Sequence, residues 1–262
     1  MDRLLLPGAT FCLLLSFGYT LFALGAGRFR PGIVNLAAIL GGFFLLTINL
    51  WQLGRIQGAC PTTSLFDVLI FMSWAILLIS LIVGPAYHLS LLGAFTSPLV
   101  LIVLLFAQLG PGGPSRAARL ARGPWVEFHA AVILVAYGAF ALAAIAGLMY
   151  WLQDRQLKKR TTGALFYNLP PITDLGVANV RLLRLGFALL TAGFAAGFFS
   201  GNHHVNSAKF LASVLIWAAY GLILVLRRID HLPPRRMAAA SMIVFAVALL
   251  SLPTIQYLSL PK

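Results

Sequence analysis

The side chains in this sequence that could do chemistry gather at the ends of long apolar runs. Glu127 and His129 open one run, Asp67 opens another, and Lys209 opens a third, just after Gly201-Asn202-His203-His204. A neutral imidazole is a good ligand for haem iron and for other transition metals. His129 is followed by a wholly apolar stretch, which would hold it on a rigid element near one membrane face. The alternative for the same residue is an interfacial histidine bonded to Glu127 or to a loop carbonyl. His203 and His204 are adjacent, so they diverge by about 100° on a helix and to opposite sides on an extended chain. One of them, not both, could serve a metal shared with His129; a solvated polar loop is the other reading. Asp67 at a helix start is favoured by the helix dipole, whatever else it does. His88 and His231 read as interfacial. Cys12 and Cys60 stand alone. Without a C-x-x-C, the chain is neither a thiol–disulfide relay nor a c-type cytochrome. P-loop, dinucleotide, serine-hydrolase and zinc-protease motifs are absent.

These residues need elements to position them, and composition dictates which. Of 262 residues, 60% are hydrophobic and 10% charged, with a mean hydropathy of +0.93. A soluble domain carries roughly 25% charge, so an ordinary soluble enzyme, a disordered chain and a disulfide-rich module are excluded. The apolar runs are continuous rather than alternating, which argues against a membrane barrel. The sequence predicts an all-α, polytopic membrane bundle with about eight transmembrane helices: 5–26, 32–53, 64–84, 89–110, 125–152, 182–200, 208–226 and 237–256. All of 1–262 reads as a single transmembrane domain. The largest connection is expected from Asp154 to Arg181, interrupted by Pro170 and Pro171. Arg116, Arg119 and Arg122 recur as on one face of a short surface helix. No internal repeat is evident along the chain.

The net charge of +13, from 19 Lys/Arg against 6 Asp/Glu, comes in short clusters between apolar runs: Arg28 and Arg30, Arg155 to Arg160, Arg227 and Arg228, Arg235 and Arg236. That distribution fits topogenic charges and contacts with anionic membrane lipid, not nucleic acid. The positive-inside rule places these connections in the cytoplasm and both termini outside. Asp67, Glu127, His129, His203, His204 and Lys209 then share the outer side. Ala139, Ala143 and Gly147, and Gly193-x-x-x-Gly197, have the small-residue spacing of close helix contacts.

One stretch is more specific. His129-Ala-Ala-Val-Ile-Leu-Val-Ala-Tyr137, continuing through Gly147-Leu-Met-Tyr-Trp-Leu-Gln153 to Gln156-Leu-Lys-Lys-Arg160, resembles the cytochrome c assembly superfamily. So do Leu169-Pro-Pro-Ile-Thr-Asp174, Arg184-Leu-Gly-Phe-Ala-Leu-Leu-Thr-Ala-Gly193, Trp217-Ala-Ala-Tyr220 and Ser64-Leu-Phe-Asp67 through Trp74. The likeness covers roughly 60–228. Between the sixth and seventh spans, haem-handling members carry a tryptophan-rich segment; here that place reads Gly201 to Lys209, and only Lys209 matches. His129 matches the first of the family's two outer histidines. The second has no counterpart near the last span. These departures place the chain nearer the HemX and YpjD types than the complete haem lyase.

The resemblance implies an integral membrane cytochrome c assembly protein that binds haem for c-type cytochrome maturation at the outer face of the inner (plasma) membrane. It would be an assembly factor and not a turnover enzyme. His129 would be an axial ligand, His203 or His204 a second, and Asp67, Glu127 and Lys209 would orient propionates or a partner. The implied partners are apocytochrome c or another assembly-factor subunit. Two alternatives stay open: a HemX-like scaffold or regulator of tetrapyrrole biosynthesis or of a respiratory complex, without bound haem, and a small-molecule transporter.

Overall fold

Runs of about 20 apolar residues in lipid must satisfy every backbone N–H and C=O internally, and the helix does this within one segment. In the computed structural model, the described residues are 5–25, 33–62, 64–86, 92–109, 123–160, 170–199, 207–229 and 231–258. They form eight helices: α1 (Leu5–Gly25), α2 (Ile33–Gln57), α3 (Leu65–Ala86), α4 (Leu92–Leu109), α5 (Pro124–Lys159), α6 (Ile172–Phe199), α7 (Ser207–Arg228) and α8 (Pro234–Leu258). There is no strand among them. Seven are long and apolar enough to cross a membrane. The apolar part of α4, Phe95–Leu109, is shorter and contains Pro98. The chain is thus an all-helical, multi-pass membrane bundle.

Two expected boundaries move. Both ends of the connection expected over Asp154–Arg181 are helical. α5 runs on to Lys159, and α6 begins at Ile172 rather than near 182. Pro170 and Pro171 start a helix instead of interrupting one. In the first turn a proline's missing N–H has no acceptor to lose, and the Pro171 carbonyl accepts from the Leu175 N–H at 3.1 Å. The expected surface helix with Arg116, Arg119 and Arg122 lies outside the described residues, as does His88.

α5 is the axle. Its most apolar window is 78% buried, against 17% for α7, so α5 is surrounded by protein while α7 faces lipid. Small residues make this possible. Antiparallel to α5, α6 lies so close that a Cβ added at Gly186 would meet the Phe140 ring at 2.6 Å. Added at Gly147, it would meet the Ala238 carbonyl oxygen of α8 at 2.9 Å. Nearby, Asn179 Nδ2 donates to the Ala143 carbonyl (2.7 Å) and to Ser241 Oγ (3.0 Å). Asn179 and Ser241 thus satisfy one another between the helices, as lipid surroundings favour, whereas Ser73 Oγ and Tyr220 Oη are buried without a hydrogen-bond partner among the described residues.

The bundle is built from two similar halves, a feature the sequence reading did not find. α1 packs on α2 and α4, as α5 packs on α6 and α8; α3 packs on α4, as α7 packs on α8; and the halves meet mainly through α3 and α5. The repeat is written in α2 and α6. Gly42-Phe43-Phe44-Leu45-Leu46-Thr47 matches Gly186-Phe187-Ala188-Leu189-Leu190-Thr191, and Asn35 and Asn179 precede these runs at the same spacing. The side chains repeat too. Thr47 donates to the Phe43 carbonyl (2.8 Å) and accepts from Trp74 Nε1 (2.9 Å), while Trp74 stacks on Phe43 at 5.8 Å. Thr191 donates to the Phe187 carbonyl (2.8 Å) and accepts from Trp217 Nε1 (3.0 Å), while Trp217 stacks on Phe187 at 5.5 Å. Each threonine satisfies an indole N–H that lipid could not.

Candidate functional site

Alternating helix direction brings the start of α5, the end of α6 and the α2–α3 connection to one end of the bundle. His129 lies in the second turn of α5. Its Nδ1 is 2.6 Å from the Gly193 carbonyl oxygen of α6. A carbonyl can only accept, so Nδ1 carries the proton and the lone pair resides on Nε2. Carbonyls inside a helix are normally closed off by the side chain one turn on. Here that residue is Gly197, where an added Cβ would lie 2.8 Å from Nδ1. One turn further along α5, Ile133 fills the space above Gly193, 2.7 Å from its would-be Cβ. The Gly193-x-x-x-Gly197 pair is therefore a helix contact, as its spacing predicts. It is also the notch that seats His129.

Acid side chains at this end do other work. Asp67 is 2% exposed. Its Oδ2 accepts from the Ser64 N–H and from Gln57 Nε2, both at 3.2 Å, while Ser64 Oγ accepts from the Asp67 N–H at 3.1 Å. This reciprocal pair is a capping box. Glu127 lies two residues from His129, hence on another face of α5; its Oε2 accepts from the Cys60 N–H at 3.2 Å. The structure therefore brings Asp67, Glu127 and Cys60 together on the α2–α3 connection, and it turns His129 away from them toward α6. Lys209 lies in the first turn of α7. His203 and His204 lie outside the described residues. His231 is exposed at the opposite end, beyond α7.

Burial pushes the Cys60 thiol above its ordinary value, and the Glu127 and then the Asp67 carboxylates push it further. Since the thiolate is the reactive form, Cys60 should react with a maleimide at pH 8 more slowly than free cysteine. Glu127→Gln keeps an acceptor for the Cys60 N–H but removes one of the charges that raise the thiol. It should speed the reaction a few-fold in a mass-tagging time course; an unchanged rate would contradict this account of the loop.

The sequence reading passed over the aromatic cluster beside His129. Trp125, one turn before it, meets Phe128 edge-on at 6.4 Å and Phe199 of α6 at 5.7 Å, and all three rings are more than half exposed. The available signal was Trp125 at i−4 from His129 on the same helix face. Among the described residues, no group of three His, Cys, Asp or Glu side chains could hold a metal ion. A single fixed imidazole beside exposed aromatic rings suits a flat, apolar metal complex better than a bare ion.

Fold and site thus define a multi-pass helical membrane protein that presents one oriented imidazole at one end of the bundle. The chain belongs to the cytochrome c assembly protein family, whose pattern matches residues 62–259, that is, α3 to α8. It is similar to protein HemX of Brevibacillus brevis, at 28% identity over 172 residues, 63% of each chain. It thus spans a little under two thirds of that relative. It is also similar to the cytochrome c biogenesis protein CcsA of Synechococcus sp. (strain CC9902), at 26% identity over 254 residues, 83% of this chain and 82% of that one. An uncharacterized 28.8 kDa protein of Azospirillum brasilense is 27% identical over 218 residues, 80% of this chain and 79% of that one. Family and relatives support a membrane role in cytochrome c biogenesis.

Proposed function

We propose that this protein holds haem for c-type cytochrome maturation at the outer face of the inner membrane, with His129 as an axial ligand. The observation that carries this reading is the His129 Nδ1 hydrogen bond to Gly193. Metal-binding histidines characteristically donate their other ring N–H to a carbonyl, which fixes tautomer and ring orientation and raises the basicity of the ligating nitrogen. When bound, haem supplies the iron that accepts an imidazole nitrogen, and it is the cargo. Trp125, Phe128 and Phe199 offer an apolar surface in place of the family's tryptophan-rich segment. Lys209 provides a cation for a propionate, and His203 or His204 a second nitrogen. Asp67 and Glu127 act indirectly, by fixing the α2–α3 connection. The protein is an assembly factor that positions its cargo for apocytochrome c or another assembly subunit, and it catalyses no turnover of its own.

Charge supports the orientation. Arg155, Lys158, Lys159, Arg160, Arg227, Arg228, Arg235 and Arg236 lie at the end of the bundle opposite His129, which the positive-inside rule assigns to the cytoplasm. Both termini then face outward.

Haem staining of membrane c-type cytochromes on denaturing gels tests the proposal. Cells lacking this protein should show lost or reduced staining, the wild-type chain should restore it, and His129→Ala should not. Gly197→Ala, which crowds Nδ1, should weaken haem retention by about tenfold, as loss of a ligand's orienting partner does. Staining restored fully by His129→Ala, but lost when Arg155, Lys158, Lys159 and Arg160 are replaced together, would overturn the haem reading in favour of a scaffold acting through the basic end.

A further inference from the structure

At the end of the bundle opposite His129, a cleft of about 660 Å³ opens between α6, α7 and α8, with Tyr150 of α5 at its back. Its lining includes Arg181, Arg184, Arg227 and Arg228, together with apolar groups such as Met237. None of the described lining residues is acidic. The nearby carboxylate of Asp154 is engaged elsewhere, by Lys158 at 3.0 Å and Arg235 at 3.3 Å. Arg227 is fixed in place, since its Nη1 donates to the Leu232 carbonyl at 3.2 Å. Ile172 and Thr173 of the first turn of α6, and Pro234 at the start of α8, also line the cleft. Two helix N-termini, each the positive end of its macrodipole, therefore converge where the arginines gather.

Depth identifies the ligand class. Arg184 lies 12 residues into the 28-residue α6. At about 42 Å that helix exceeds the roughly 30 Å hydrocarbon core, so its first turns extend into the headgroup region and place Arg184 near the inner boundary of the core. A guanidinium at that depth is costly unless an anion meets it. The group abundant at that depth is the phosphodiester of a phospholipid, whose acyl chains would lie along the exposed apolar faces of α6 and α7, at Val177, Leu185 and Val225. A basic pocket between helices at the cytoplasmic end is a recognised form of lipid headgroup site.

We infer that this cleft is a binding site for an anionic phospholipid, its phosphodiester held by Arg184, Arg227 and Arg228 and its acyl chains by α6 and α7. The site lies at the other end of the bundle from His129 and does not depend on the haem reading. Its volume falls in the range of small-molecule pockets.

Native mass spectrometry of the purified full chain, delipidated and then offered phosphatidylglycerol or phosphatidylcholine, tests this. The wild type should retain one phosphatidylglycerol on the order of tenfold more strongly than phosphatidylcholine. Arg184→Gln with Arg228→Gln should abolish that preference, while Arg184→Lys with Arg228→Lys keeps most of it. Both arginines are exposed, and circular dichroism of each variant checks the fold. Glycerol phosphate at millimolar concentration, lacking acyl chains, should not displace the lipid. No preference for phosphatidylglycerol, a preference that survives both glutamines, or full displacement by glycerol phosphate would each overturn the assignment. So would displacement of the lipid by stoichiometric haem, which would make the cleft a carboxylate site.

Discussion

Replacing His129 with alanine should lower the affinity of the purified protein for haem by at least about a hundredfold. Loss of a mere orienting partner costs metal sites about 10–100-fold, and this change removes the ligating nitrogen itself. The vacated space is bounded by the backbone of Gly193 and Gly197, and among the described residues no other imidazole lies at this end of the bundle. Free imidazole fits the same notch and should restore part of the affinity. His129→Gln keeps a side chain that can donate to the Gly193 carbonyl but offers iron no imidazole, so it should bind as poorly as alanine. Equal affinity for haem in wild type and His129→Ala would remove His129 from the account.

The second large effect is on stability. Gly138→Leu should destabilise the folded bundle by about 3 kcal/mol or more. A Cβ at Gly138 would lie 3.0 Å from the Ala75 carbonyl carbon, and 3.1 Å from both the Ala75 oxygen and the Ile76 nitrogen of α3. These are backbone atoms of a helix and cannot rotate away. Overpacking typically costs 1–3 kcal/mol; here the extra atoms drive apart α3 and α5, the pair that joins the two halves. Gly18→Leu is the control, because nothing lies within 4 Å of its would-be Cβ; it should shift stability by less than about 0.5 kcal/mol. Unfolding in mixed detergent micelles, followed by circular dichroism, distinguishes the two. Equal midpoints for both variants would contradict the close α3–α5 contact.

Much of this architecture is legible in the sequence because lipid imposes one strong rule, about 20 apolar residues per crossing. Where the rule is silent, the reading slips. Ile172–Arg181 mixes polar and apolar residues, and the double proline just before it, Pro170-Pro171, reads as a stop although it serves as a start. The repeat escaped notice because only buried or bonded positions recur, such as Asn35 and Asn179, Gly42 and Gly186, Thr47 and Thr191. The lipid-facing residues between them are interchangeable apolar types. The same contrast holds at the site. His129, Asp67 and Glu127 stand out as polar residues at span ends, and the dipole argument anticipates why Asp67 is there. Their partners could not be read, because Gly193 lies 64 positions from His129, Cys60 lies 67 from Glu127, and both contacts are to backbone atoms that carry no side-chain signature. Gly197 is legible only as a packing residue until the imidazole is seen resting on it.

The most direct test is a titration of haem into the purified full chain in lipid nanodiscs, followed by the Soret absorption band. The account predicts a saturable shift at one haem per chain, with a low-spin spectrum on reduction that is lost in His129→Ala and weakened in Gly197→Ala. A wild-type chain that stays colourless, or takes up haem without saturation and equally in all three proteins, would contradict it.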